Sequence, residues 1–305
     1  MNKHRKLLAA LLALMMAFTI TACGQDAEPA PAEESSSSQG IDNTLEEDEI
    51  PIVFHPTHVE EVKEKKAENA DTVGWLEVPG TTINDVVVQS TDNDYYWHRN
   101  FKKEEISITN FPNYENNNTW AYFADFRSKI GTGKAEDLST NTVIYGHTYD
   151  IAVDANNRQV LEDGIAETFG TRFAPIKYFY LSEEFAKETP YIYFSTEEED
   201  LVWEVFAVFF AHIDLPYNRA DLSDEKHAQV LDESLKRSIY TYDVDVAPTD
   251  KILTLSTCTY YIPGNTTYLG YPNDYRYVVM AKLVDAAQAT KPEAVFTVNP
   301  EPKAP

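Results

Sequence analysis

Between residues 72 and 284, apolar positions gather into short runs separated by turn residues. Residues 75–78 and 85–88 form the first two runs, divided by Pro79-Gly80 and Asn84. Others follow at 120–123, 142–145, 176–181, 191–194, 201–211, 252–255 and 275–284, and Val, Ile, Tyr and Phe dominate them. β-Branched and aromatic side chains suit a pleated, half-buried surface, so this succession predicts a closed or sandwiched β architecture. Three stretches carry a helical period instead. Residues 56–70 place Val59, Val62, Lys66 and Ala70 on one stripe of a highly charged surface helix. Residues 158–168 form a second candidate. Residues 223–240 form a third, with Leu231, Leu235 and Ile239 recurring every four positions and Ser223 placed to cap the start. No internal repeat is present, and the Asn-rich stretch 110–119 reads as a surface loop.

The two ends break this pattern. Lys3, Arg5 and Lys6 precede an uncharged apolar run from Leu7 to Ile20, shorter than the roughly 20 residues a membrane span needs. This predicts a secretory signal over residues 1–22. The sequence Ile20-Thr21-Ala22-Cys23-Gly24 resembles a bacterial lipobox, in which the cysteine carries the lipid; the alternative is an uncleaved signal anchor. Residues 23–55 hold prolines, a serine run and clustered acids with few apolar groups, the composition of a flexible acidic tether. Residues 286–305 are rich in Pro and Ala without periodicity and are expected to be a disordered tail. What lies between, residues 56–285, fits one domain.

Charge narrows the partners. The chain carries 50 acidic against 25 basic residues, a formal net charge of −25. A field of that sign argues against nucleic acid and against anionic lipid surfaces as partners. Cysteine usage narrows the chemistry. Of two cysteines, Cys23 belongs to the lipobox, which leaves Cys258 unpaired in an exported protein. Such a thiol is either a reactive group or a buried, inert small hydrophobe.

The surroundings of Cys258 favour reactivity. In Thr254-Leu255-Ser256-Thr257-Cys258 a predicted strand ends on the thiol and opens onto a loop rich in tyrosine, where a substrate can reach it. A free thiol has pKa of about 8.5 and needs a base or cation to ionise. His147 ends the run Val143-Ile144-Tyr145-Gly146-His147, and Arg276 stands within the otherwise apolar strand Tyr275-Arg276-Tyr277-Val278-Val279. Taken singly, each has a plainer explanation: a turn histidine and a sheet arginine held in an ion pair. His55 and His58 have no acid or thiol constellation to complete a metal site and read as solvated, and His98, His212 and His227 have no evident partners.

Together these segments carry a resemblance. The TLSTC and VIYGH segments and the late Arg276, in the chain order His, Cys, Arg, resemble the three signatures of the sortases. Residues 71–76 (DTVGWL) and 89–96 (QSTDNDYY) are similar to class B sortases in particular. The resemblance spans roughly residues 58–285. It implies a mainly β fold, a closed eight-stranded barrel with an N-terminal helix and an extra helix between the sixth and seventh strands. It implies a cysteine transpeptidase with Cys258 as nucleophile, His147 as acid/base and Arg276 as oxyanion partner. Asn93, Trp97, Ser256 and Thr257 are the implied substrate contacts.

The resemblance implies as substrates secreted proteins bearing a C-terminal sorting motif, with a peptidoglycan precursor or pilin amine as acceptor. The setting is the outer face of the cytoplasmic membrane, and no cofactor or metal is expected. Two departures stand out: a lipobox replaces the family's usual transmembrane signal anchor, and residues 121–127 (AYFADFR) match the family's strand only loosely. Two other function classes share parts of this chemistry. A cysteine peptidase or amidase would let water resolve the acyl-enzyme, and a non-catalytic surface lipoprotein would keep the barrel as a scaffold.

Overall fold

The computed structural model describes residues 53–106, 120–148, 173–260, 262, 269 and 274–305. Eight strands close into a barrel: β1 (Thr72–Glu77), β2 (Asn84–Gln89), β3 (Tyr122–Ala124), β4 (Asn141–Tyr145), β5 (Tyr191–Ser195), β6 (Asp200–His212), β8 (Ile252–Cys258) and β9 (Tyr275–Val284). Their order around the barrel is β1-β2-β3-β4-β8-β9-β6-β5, with β5 returning to β1. The pairs β2–β3 and β4–β8 are parallel and the rest antiparallel. The closed eight-stranded barrel implied by the resemblance is therefore present, and the runs 75–78, 85–88, 201–211 and 275–284 match strands within a few residues.

Alternation along β8 and β9 separates two apolar layers. Leu253, Leu255, Tyr277, Val279 and Ala281 join the barrel interior with Val87, Ile144, Ile192, Trp203 and Val208. Ile252, Val278 and Met280 join an outer cluster with Phe209, Val230 and Leu231. Helix α4 (Asp224–Arg237) covers this outer layer, and it falls between the sixth and seventh barrel strands. Each fully buried Val or Leu contributes about 1.5–3 kcal/mol. Asp224 and Glu225 in the first turn and Lys236 and Arg237 in the last oppose the helix dipole at both ends.

The face α4 buries differs from the expected one. His227, Val230, Leu231 and Ser234 are buried, while Leu235 is exposed and Ile239 lies past the end. A strict four-residue spacing drifts off one face because the helix turns every 3.6 residues, whereas positions i, i+3, i+4 and i+7 stay together. Ser223 takes the cap position with extended backbone but makes no side-chain cap bond.

Further expectations change with the structure. Helix α1 (Val59–Glu68) forms and buries Val62, but His58 just before it is not solvated. Its Nε2 lies 2.6 Å from Glu77 Oε2 and its ring stacks on Trp75. The run at 176–181 is not a strand. It makes a 3₁₀ turn (Ala174–Lys177) and then α2 (Tyr178–Leu181). Pro175 at the first turn presets helical φ, and Phe179 packs edge-on against Phe185 of α3 (Glu183–Glu188). Packing here overrides β-propensity.

Residues 286–305 are not a structureless tail either. β10 (Phe296–Val298) pairs with β7 (Tyr240–Tyr242), and the Phe296 ring sits 4.4 Å from Tyr240 and 5.1 Å from Tyr242. Ala289 and Ala294 are buried, and the Lys303 N–H donates to the Lys236 carbonyl. Phe296, the two buried alanines and polar contacts such as Lys291 Nζ to Glu204 Oε1 at 2.7 Å dock the segment. The signal over residues 1–22, Cys23, most of the tether, the 110–119 loop and the 158–168 helix lie outside the described residues.

Candidate active site

The parallel pair β4–β8 runs both strands toward the same end of the barrel, and β9 begins there. The register sets Tyr145 opposite Ser256, and Cys258 opposite Arg276. Residues directly opposite on neighbouring strands share a sheet face. Because Leu253 and Leu255 point inward, Ser256 and Cys258 belong to the outer face, and Arg276 with them. A thiol and a guanidinium are thus brought side by side by backbone pairing alone. Cys258 is reduced and partly exposed, and Arg276 Nη1 donates to the carbonyl of Tyr275 at 2.7 Å.

His147 reaches the same place from the end of β4. Gly146 makes the approach possible, since a Cβ there would meet the Phe173 ring at 2.4 Å. The Phe173 N–H donates to the His147 carbonyl at 3.2 Å. The imidazole packs between Trp97, edge-on at 5.6 Å, and Trp120 at 4.9 Å. Its Nε2 lies 2.7 Å from the Trp97 carbonyl. A carbonyl only accepts, so Nε2 carries the proton and Nδ1 is the basic nitrogen. Burial pushes the imidazole down to about 4, partly opposed by the Trp97 carbonyl and reinforced by His98. At neutral pH it is an uncharged base.

Cys258, His147 and Arg276 line one cleft of about 180 Å³. Asn93, Trp97, Ser256 and Thr257 line it as well, so the structure brings all seven residues together. Two of the four substrate candidates have occupied side chains. The Ser256 hydroxyl is buried against Tyr217 Oη at 3.0 Å, and Thr257 Oγ1 donates to the Gly146 carbonyl at 2.7 Å and meets Thr148 Oγ1 at 2.6 Å. Both tie β8 to its surroundings. Trp97 supports His147 through its carbonyl and its ring.

Tyr145, Tyr217, Asn218 and Ile213 also line the cleft and were missed in the sequence. The last three sit in the loop after β6, and only the barrel's order brings that loop beside β8. Among the described residues no group of three or more His, Cys, Asp or Glu could hold a metal ion.

The chain as a whole is similar to known proteins, although no family model matches it. Sortase B of Listeria monocytogenes is 29% identical over 201 residues, covering 65% of this chain and 67% of that protein. The solved structure of Clostridium perfringens sortase B superposes with a TM-score of 0.53 at 29% identity, over 73% of this chain and 99% of that one. A Staphylococcus aureus sortase B–substrate complex superposes with a TM-score of 0.52 at 25% identity, over 74% and 85%. The chain is similar to class B sortases both in sequence and in fold. That similarity supports a cysteine transpeptidase, and the cleft lies on the barrel's outer face.

Proposed function

We propose that this protein cleaves a C-terminal sorting motif of secreted proteins through a thioacyl-enzyme on Cys258. It then transfers the acyl group to a cell-wall or pilin amine. The observation that carries this reading is the pairing of Cys258 with Arg276 beside a neutral His147 whose Nδ1 is the acceptor nitrogen. As Cys258 Sγ attacks the scissile carbonyl carbon, Nδ1 takes the thiol proton. Charge develops on the carbonyl oxygen, and the Arg276 guanidinium stabilises it; a comparable donor is worth about 3–4 kcal/mol. The imidazolium returns the same proton to the departing amine, leaving the thioester. The acceptor amine then attacks the thioester, gives its proton to His147, and Cys258 leaves and is reprotonated.

Mass spectrometry of the protein with sorting-motif peptides and triglycine tests this. A thioacyl adduct on Cys258 together with an amide product supports transpeptidation. An adduct that resolves only to free acid, with amine present, turns the reading toward a hydrolase. The same proposal holds the protein at the outer face of the cytoplasmic membrane by a lipid on Cys23 or by an uncleaved signal anchor. Loss of radiolabelled palmitate incorporation in Cys23→Ala would support the lipid, and unchanged membrane retention without any label would support the anchor.

A further inference from the structure

One carboxylate outside the reacting trio organises a wall of the cleft. Asp125 follows β3 and its side chain is fully buried. Five donors converge on it. Oδ1 accepts from the Arg127 backbone N–H at 2.9 Å and from Arg127 Nε at 2.8 Å. Oδ2 accepts from Arg127 Nη2 at 2.7 Å, Asn93 Nδ2 at 2.8 Å and Tyr145 Oη at 2.9 Å. Asn93 and Tyr145 both line the cleft that holds Cys258. Arg127 Nη2 also reaches the Asn218 carbonyl at 3.4 Å, and Asn218 is a third residue of the same wall.

The arrangement removes rotational freedom from both side chains. Asn93 Oδ1 accepts from the Phe126 N–H at 3.0 Å while its Nδ2 donates to Asp125, so the amide cannot flip without losing two bonds. Tyr145 spends its proton on Asp125 and its phenolic oxygen accepts from the Asn218 side chain, which leaves one lone pair and makes it an acceptor only. Asn93 keeps a second amide hydrogen. A donor and an acceptor held side by side in one cleft match the alternating carbonyl and N–H groups of an extended peptide. Such pre-organisation improves binding by lowering the ordering cost.

We infer that Asp125 is a positioning residue for peptide recognition, fixing Asn93 and Tyr145 in the orientation that reads the backbone of an extended substrate. The inference rests on the sorting-peptide reading above. It assigns Asp125 no part in the acyl-transfer chemistry.

The experiment is steady-state transpeptidation by the wild-type protein and by Asp125→Asn, Asn93→Ala and the double variant, alongside the rate of Cys258 alkylation by iodoacetamide. Tyr145→Phe, which leaves the carboxylate and Arg127 in place, guards against misfolding of the Asp125 variant. Asp125→Asn is expected to raise KM about tenfold with kcat changed by less than about twofold, and to leave the alkylation rate unchanged. Tyr145→Phe is expected to raise KM by about threefold. Asn93→Ala is expected to add little on the Asp125→Asn background, because the two act as a unit. A fall in kcat or in alkylation at unchanged KM, or strictly additive effects, overturns the inference. A wild type that turns over no peptide overturns the sorting-peptide reading, and this inference with it. A wild type that turns over peptide, together with an Asp125→Asn variant of unchanged KM, overturns only this inference.

Discussion

Asp125 and Lys177 are both fully buried charged residues, and their surroundings could hardly differ more. Asp125 collects five hydrogen bonds, and Arg127 lies against it as counter-ion. Burial works to raise its carboxyl, yet the bonds from Arg127, Asn93 and Tyr145 together hold it below the usual carboxylate range. Lys177 closes the 3₁₀ turn ahead of α2, next to the interior residues Phe173, Ile176 and Phe179. Its Nζ has no hydrogen-bond partner among the described residues. Burial pushes it down to about 7, opposed in part by the nearby Cys258. Depth does not decide whether a group stays ionised; the donors and acceptors around it do. Asp125 is a fixed anion, and Lys177 sits near the balance point between ammonium and amine at neutral pH.

The sharpest way to break this comparison is to delete the anion. Asp125→Ala strands the Arg127 cation and two polar side chains, and it is expected to destabilise the fold by about 3–5 kcal/mol in urea unfolding. A loss under about 1 kcal/mol would mean the cluster is far better solvated than its geometry indicates.

Removing the cation should do the reverse. Because the folded pKa of Lys177 is lowered from 10.5 to about 7, the unfolded chain binds more protons between those values, and stability rises with pH through that window. Lys177→Met is therefore expected to stabilise the protein by about 2–4 kcal/mol at pH 6. The gain should fade toward pH 10, as denaturation across a pH series would show. A destabilised variant would mean that Lys177 has a partner worth keeping.

His147 tests the same rule in the cleft. Its folded pKa of about 4 lies below its usual 6.5, so the folded state resists protonation and stability falls as pH drops between those values. For this partly exposed ring the loss attributable to it should be about 1–3 kcal/mol. It is read as the difference in pH dependence between wild type and His147→Gln. The same shift places the acidic limb of kcat/KM well below pH 6.5. A limb at 6.5 or above would contradict the neutral base. The smallest expected effect is that of Tyr145→Phe, about 0.5–1.5 kcal/mol in unfolding, since it removes one of Asp125's five bonds.

The parts of the site legible in the sequence are those at the edge of a strong local signal. Cys258 and His147 each stand at the end of a predicted strand, and Arg276 interrupts one, so strand pattern and chemistry coincide. Asp125 had no such signal. Its segment, residues 121–127, reads only as a loose match to a family strand, and Asn93 and Tyr145 meet it because β2, β3 and β4 lie side by side. Ser256 and Thr257 were legible as neighbours of the thiol, but no local pattern shows that their hydroxyls bond to Tyr217 and Gly146. The docked segment 286–305 escaped notice because a three-residue strand is too short to show a period. The turn before α2 escaped because three consecutive aromatic, β-favouring residues, Tyr178 to Tyr180, outweighed one proline.

The barrel's pairing order has a kinetic consequence. Thr257 and Gly146, which bond across the β4–β8 seam, are 111 residues apart in the chain. Strands that meet only over such separations give a high contact order, and folding of this kind takes on the order of milliseconds to seconds. Until that seam and the β8–β9 seam close, Cys258 has neither Arg276 opposite it nor His147 at hand, and it is an ordinary thiol. Assembly of the cleft therefore depends on closing both seams, so the thiol gains its chemical neighbours only with the folded barrel.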